Sequence, residues 1–466
     1  MNPLLLLACG LVIVVGGILW LRMHAFLALV LGAFAVALLT PAPTLRTYAE
    51  TRVAKGEMTA KAAAAFPAKP AAARVADEFG RTCASLGILI AMAGILGEAM
   101  LLSGSAESIA NALLRTLGAA RAHWAFFITS FVLCIPVFFE TVFYLLSPLT
   151  KVVARRTGRN YLLLVMCTVA GGTITHSLVP PTPGPLFAAQ ALGVPLWQMM
   201  GMGTLIGTGA ALFGVAFAHF SNRRHTLEIP AEETAAAETA PPRKLPPLWL
   251  ALVPFFLPVL LIGLEASIET TPGTTLAWVV RTFGEKDMAV TLGTLVALLT
   301  LARQGGLAPT TKAVQLALGT GATILLIIGA GGAFGGVLRQ TGISETLGAM
   351  LAGTHFLALP AVFLITALVR TAQGSATVAM ITAAPIAKAF IDGGGTHIAP
   401  VYLAIAIGCG SKPFPWMNDG GFWIISRLSG LREDQTLRTI SPMMSLQGVA
   451  GLVLTMLAAW IFPLGK

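Results

Sequence analysis

Two full charges stand alone inside apolar stretches of this chain: Glu140 in Pro136-Val-Phe-Phe-Glu-Thr141, and Arg370 ahead of Gln373-Gly374-Ser375-Ala376-Thr377. Glu140 has no basic residue within ten positions on either side, and a carboxylate among apolar neighbours is suited to bind and release a proton. Arg370 offers a planar fork for a carboxylate, and Gln373, Ser375 and Thr377 beside Gly374 offer donors for a polyol. A second pair of candidates lies in Thr173-Ile-Thr-His176-Ser-Leu-Val-Pro180-Pro181-Thr182-Pro183-Gly184-Pro185 and in Gly410-Ser411-Lys412-Pro413 through Asn418-Asp419-Gly420-Gly421-Phe422-Trp423. Prolines at this density remove backbone donors and expose carbonyls, and a half-helix starting near Gly184 would aim its positive end at an anion. His176, Lys412 and Asp419 are thereby candidates for ligand or proton contacts. Plainer readings of the same residues stand beside these: an acid bonded to its own turn, an arginine snorkelling to an interface, a packing histidine, a Lys412–Asp419 pair that leaves neither free.

The elements that hold these residues must be interrupted membrane helices. In hydrocarbon an unpaired backbone amide costs several kcal/mol, so a broken helix survives only where it is buried in protein or lines a wet cavity. Composition agrees: the chain is 56% hydrophobic and 11% charged, against about 25% charged for a soluble domain, and its mean hydropathy is +0.81. The fold class is therefore an all-α polytopic membrane protein. The 49 glycines suit close helix packing. The net charge of +10 lies between apolar runs and reads as topology signal, which argues against a nucleic-acid partner. Cys9, Cys83, Cys134, Cys167 and Cys409 show no CxxC spacing and read as small packing residues, not metal ligands. The apolar N-terminus lacks a basic leader region and reads as a first span.

In chain order, the pattern predicts spans at 3–21 and 26–40, an extramembrane loop over 42–81, a span at 83–102, a short amphipathic helix, a broken segment at 124–150, and spans from 161 and 194. A polar linker follows at 221–246, then spans at 247–264, 288–301 and 312–330, a helix at 344–354, a second broken segment at 359–388, a span from 399, a break at 411–421 and a closing span at 441–462. The implied organisation is N-terminal scaffold spans and loop (1–82), a first repeat (83–220), a cytoplasmic linker (221–246), scaffold spans (247–330) and a second repeat (331–466). The repeat is visible in the residues themselves. At a separation of 238, Gly94, Gly97, Ser103-Gly104 and Glu107 fall on Gly332, Gly335, Thr341-Gly342 and Glu345; at 237, Pro148, Gly171, Gly184 and Gly193 fall on Pro385, Gly408, Gly421 and Gly430.

Charge orients the copies. The first broken segment is flanked by Arg115 and Arg121 before it and Lys151, Arg155, Arg156 and Arg159 after it, so both ends should be cytoplasmic and the segment a re-entrant hairpin. The second has Glu345 before it and Lys388 with Asp392 after it, so it should enter from outside. Opposed hairpins are the inverted repeat of secondary transporters, with the substrate near the midplane. This threading puts the 42–81 loop outside despite its seven Lys and Arg, which long loops permit.

Other classes lack their motifs. There is no HExxH, Asp-rich pair or GxSxG elbow for an enzyme, and no Walker A sequence for a pump. The run 329–336 mimics a nucleotide fingerprint but follows an apolar span. A channel and a sodium-coupled carrier stay open as alternatives.

The stretches FFETVF, THSLVPPTPGP, RTAQGSATVA and NDGGFW resemble signatures of the gluconate permease (GntP) family of proton-coupled sugar-acid symporters, over most of the chain from Gly94 onward. The resemblance implies an ion transporter superfamily fold, a scaffold that dimerises, an elevator-type transport domain holding the hairpins, and import of a small hydroxylated organic acid with protons across the bacterial inner membrane. It implies no cofactor. By motif it implies a coupling role for Glu140, with His176 and Asp419, and substrate contacts for His176, Arg370, Gln373, Gly374, Ser375, Thr377, Asn418 and Asp419; Thr182 and Lys412, beside the same presumed site, join the substrate contacts on their own chemistry. Two stretches depart from the family pattern: Thr182 stands where PPHPGP is common, and 412–417 differs from the usual Ser-His type. Both concern substrate identity.

Overall fold

The computed structural model describes residues 2–54, 56–157, 160–225, 227, 229, 245–268, 274–343, 346, 357–393 and 398–464. Among them there is helix and no strand. The expected helix at 344–354 except Thr346, together with Arg159 and most of the 221–246 linker, lies outside the described residues.

The chain opens with α1 (Pro3–Leu19) and α2 (Ala25–Leu39), then bends by 100° at Thr40-Pro41 into the polar α3 (Ala42–Ala54). The short α4 (Ala60–Ala65) leads to α5 (Ala71–Leu102), which begins well before the expected 83. The cause is tertiary. Arg74, read as part of a loop, is buried and donates to the Gln340 side chain at 2.8 Å and to the Ala37 carbonyl at 2.6 Å, so the polar first turns of α5 are held inside. Next come the amphipathic α6 (Ser105–Leu117), then α7 (Ala122–Leu133) and α8 (Phe139–Thr157), interrupted where Pro136 removes a donor. α9 (Tyr161–Leu178) and α10 (Pro183–Leu192) together span 161–192 across a proline-rich break, and α11 (Leu196–Arg224) closes this half.

Beyond the linker lie α12 (Leu248–Ser267), the unanticipated α13 (Thr275–Gly284), α14 (Lys286–Gly305) and α15 (Leu307–Arg339). The boundary expected at 330/331 falls inside α15, which continues without a break. α16 (Ala358–Gln373) and α17 (Ala376–Asp392) follow, separated by Gly374 and Ser375, then α18 (Pro400–Gly410), α19 (Gly420–Ser429) and α20 (Glu433–Ile461).

Elements recur in order. α8 and α17 each contain one proline, Pro148 and Pro385; α10 and α19 each have 10 residues and end on a left-handed glycine, Gly193 and Gly430; α11 and α20 each have 29 residues.

Two helices form the centre. Every residue of α9 except His176 is buried, as is α18 from Val401 to Gly410. Small residues let the backbones touch. A Cβ on Gly171 would stand 2.4 Å from the Phe127 carbonyl oxygen of α7, and one on Gly408 2.5 Å from the Ser177 carbonyl oxygen, so α9 is clamped between α7 and α18. At the periphery, α11, α12, α14 and α20 expose large apolar side chains such as Phe213, Trp249, Leu260, Leu299 and Trp460. An apolar outer surface over a packed interior is what a bilayer solvates. Seven described helices are long and apolar enough to cross a membrane, with α9 and α10 counted as one, and four shorter apolar helices accompany them. This is a multi-pass membrane protein.

Candidate functional site

All four interruptions lie around one place, and three of them wall a cavity of about 230 Å³. That is small beside the roughly 300–1,000 Å³ that holds a drug-sized ligand, and it suits a compact polar one. The beginnings of three helices reach its wall: Phe139 and Glu140 of α8, Ala376 and Thr377 of α17, Gly420 and Gly421 of α19. The first N–H groups of a helix have no intrahelical partner and carry its positive end. The fourth break stands just behind: a Cβ on Gly184 at the start of α10 would meet the Met380 side chain of α17.

Arg370, on the last turn of α16, is 2% exposed. Its Nε donates to the Ser411 carbonyl at 3.0 Å and its Nη2 to the Asp419 carboxylate, while Nη1 is buried without a hydrogen-bond partner; the residue as a whole lines the cavity. Asp419 is doubly employed, because its Oδ1 accepts from the Gly421 N–H at 2.8 Å and so caps α19. The pairing of Lys412 with Asp419 considered from the sequence is therefore not what forms: Arg370 takes the carboxylate. Lys412, also 2% exposed, donates instead to the Thr173 carbonyl of α9 at 2.5 Å. Ser375 caps α17 by accepting from the Val378 N–H at 3.4 Å. His176 lines the cavity with its Nδ1 buried and unpartnered, and its ring meets Phe138 edge-on at 5.9 Å between centroids.

Of the residues expected from the sequence, Glu140, His176, Arg370, Gly374, Ser375, Thr377, Lys412 and Asp419 share this one wall. Gln373, Thr182 and Asn418 do not. Thr182 is turned into its own loop, donating Oγ1 to the Val179 carbonyl at 2.7 Å. Asn418 straps the α18–α19 connection to α16 by donating Nδ2 to the Thr371 and Ala372 carbonyls at 2.9 and 3.2 Å, aided by the Trp416 Nε1 donating to Thr371 at 2.8 Å. Gln373 buries an unpartnered Nε2 away from the cavity. The rest of the wall is Phe139, Thr173, Ala376, Pro415, Gly420, Gly421 and Phe422, from the stretches singled out in the sequence, and Ile425, Ile440 and Met444, which lie outside all of them. Apolar residues of a long span carry no signal that separates cavity-facing from lipid-facing positions. Among the described residues no group of His, Cys, Asp and Glu could hold a metal ion.

Comparison with known proteins is consistent across sequence and fold. A family model described as GntP family permease matches residues 57–461. The chain is 31% identical to the gluconate permease of Pseudomonas aeruginosa over 398 residues, covering 83% of this chain and 87% of that one. It is 30% identical to the low-affinity gluconate transporter of Escherichia coli K12 over 452 residues, covering 94% of each, and 28% identical to the Gnt-II system L-idonate transporter of the same organism over 456 residues, covering 97% and 98%. Among solved structures, the YdaH transporter of Alcanivorax borkumensis shares the fold with a TM-score of 0.60 at 14% identity, covering 84% of this chain and 89% of that one. MtrF of Neisseria gonorrhoeae does so with a TM-score of 0.63 at 16% identity, covering 83% of each.

Proposed function

Because this chain belongs to the GntP family of permeases, we propose that it is a proton-coupled symporter carrying a gluconate-like hydroxy-carboxylate across the bacterial inner membrane. The observation that carries the reading is the buried Arg370 guanidinium, held by Ser411 and Asp419 with Nη1 left over at a cavity where three helix N-termini meet. A substrate carboxylate supplies the missing acceptor and satisfies the helix ends. Ser375 and Thr377 on the same wall supply partners for its hydroxyls.

Coupling follows from counting charge. The wall holds two cations, Arg370 and Lys412, and two acids, Asp419 and Glu140. With Glu140 ionised and His176 neutral, the empty site sums to zero. Protonating Glu140 leaves one positive charge, and one monovalent anion restores zero. Anion without proton, or proton without anion, leaves a net charge that is costly to move through a low-dielectric interior. One proton therefore accompanies one carboxylate.

In the same reading the two halves form an inverted repeat of the ion transporter superfamily type. α7–α10 and α16–α19 are the moving body of an elevator, its re-entrant hairpins borne on a scaffold of α1, α2, α5 and α12–α15 that dimerises. Supporting this are the recurrence of element order and length between the halves and the shared interior of α9 and α18.

The test is uptake of labelled gluconate into proteoliposomes in sodium-free buffer, with the outside acidified. Accumulation above the external concentration, saturation and counterflow are expected. Flux that neither saturates nor shows counterflow would make the protein a channel, and accumulation that needs sodium and ignores the pH gradient would make it a sodium-coupled carrier.

A further inference from the structure

The N-termini of α8, α17 and α19 reach the cavity wall. Lys412 follows the C-terminal end of α18 at Gly410 and bonds α9 within its last two turns, and the C-terminal end of α16, at Arg370 and Gly374, also reaches the wall. In carriers built from broken helices, positive ends face the anionic substrate, whereas unwound carbonyls and negative ends hold the coupling cation. Here a side chain already lies at the negative ends. Lys412 sits two residues past the end of α18, its N–H bonded to the Cys409 carbonyl and its Nζ to the Thr173 carbonyl near the end of α9. A lysine at an interface snorkels its ammonium into water, but this one is 2% exposed. Asp419 does not fix it there, since both its oxygens are engaged by Gly421 and Arg370.

We propose that Lys412 is the resident cation of the site, its ammonium standing where a cation-coupled carrier holds a metal ion such as Na⁺, so that transport proceeds without Na⁺. This rests on reading the protein as a carrier of an organic anion, and it adds the identity of the positive charge that balances Glu140. Arg370 is bound to Asp419, so the two remaining charges of the wall are Lys412 and Glu140. Removing the ammonium leaves the Thr173 carbonyl, beside the end of α18, facing a space that a small monovalent cation fills.

The experiment compares counterflow of labelled gluconate in proteoliposomes containing Na⁺ or choline, for the unaltered protein and Lys412→Ala. The unaltered protein is expected to run equally in both. Lys412→Ala is expected to lose about tenfold or more in choline, the scale of a lost charged hydrogen bond, and to recover part of it as Na⁺ is raised. In detergent, Na⁺ should raise the unfolding temperature of the variant and leave that of the unaltered protein unmoved. Full activity of the variant in choline, failure of Na⁺ to restore it, or a Na⁺ response of the unaltered protein would each overturn the assignment. If the alanine variant does not fold, Lys412→Met, which keeps most of the side chain's length without its charge, takes its place in the same comparison. Absence of counterflow by the unaltered protein with any sugar acid or hydroxy acid would instead bring down the carrier reading, and this assignment with it.

Discussion

Arg370 is the residue whose chemistry is most constrained, because a guanidinium makes three kinds of contact from one plane. Lysine at the same place keeps the charge but replaces the fork with a single point, so it cannot serve Ser411, Asp419 and a ligand together. Arg370→Lys should therefore raise the KM for uptake by about ten- to a hundredfold, the cost of one charge-assisted hydrogen bond, with the amount of protein in the membrane kept. An unchanged KM would reduce Arg370 to a structural partner of Asp419. Glu140 makes the complementary case. Glutamine fills the same volume and fixes the site in the state that a protonated carboxyl mimics, so Glu140→Gln should abolish accumulation driven by a pH gradient while gluconate counterflow persists. Gradient-driven accumulation by that variant would remove Glu140 from coupling. Both residues were legible in the sequence because a charge in an apolar run is conspicuous. Their partners were not, since the Arg370–Asp419 pair joins positions 49 apart across two broken helices, and local spacing favoured Lys412 as the mate of Asp419.

At the scale of elements, the breaks were readable and the lengths were not. Proline and glycine mark where helical hydrogen bonding stops, which located the interruptions near Pro136, Pro180, Gly374 and Pro413. The start of α5 and the unbroken run of α15 depend on what polar turns pack against, as Arg74 shows by bonding Gln340 and Ala37. The α16–α17 break gives a sharp test of fit. Gly374 has φ +82°, and a Cβ there would stand 2.1 Å from the Asn418 carbonyl oxygen; Gly193 has φ +70° with nothing within 4 Å. Alanine at either position pays the left-handed strain of about 1–2 kcal/mol. Only at position 374 must the α18–α19 connection also move, taking Asp419 away from Arg370. Gly374→Ala should lower gluconate uptake by about tenfold or more, whereas Gly193→Ala should keep most of it at a slightly lower unfolding temperature. Equal uptake by the two variants would show that contact with Asn418 does not set the site.

For the whole molecule, the decisive quantity is which way each half faces. α8 and α17 both begin at the cavity wall with an acid or a hydroxyl, contain one proline, and run away from the cavity to Thr157 and Asp392. If the halves are an inverted repeat, the far ends of these two helices lie on opposite faces of the bilayer: the first beside Lys151, Arg155 and Arg156, where a basic excess marks the cytoplasm, the second beside Lys388 paired with Asp392 at 2.6 Å, where no excess exists. A chain with its five free cysteines replaced and a single cysteine introduced at Arg156 or at Gly393 reads this directly. In intact cells an impermeant maleimide should label the Gly393 position and not the Arg156 position; in inside-out vesicles the pattern should reverse. Labelling of both from one side would make the halves parallel. The three helix N-termini could then still bind an anion, but the symmetry that lets one packing exchange for its mirror across the membrane would be gone, and with it the physical basis for alternating access.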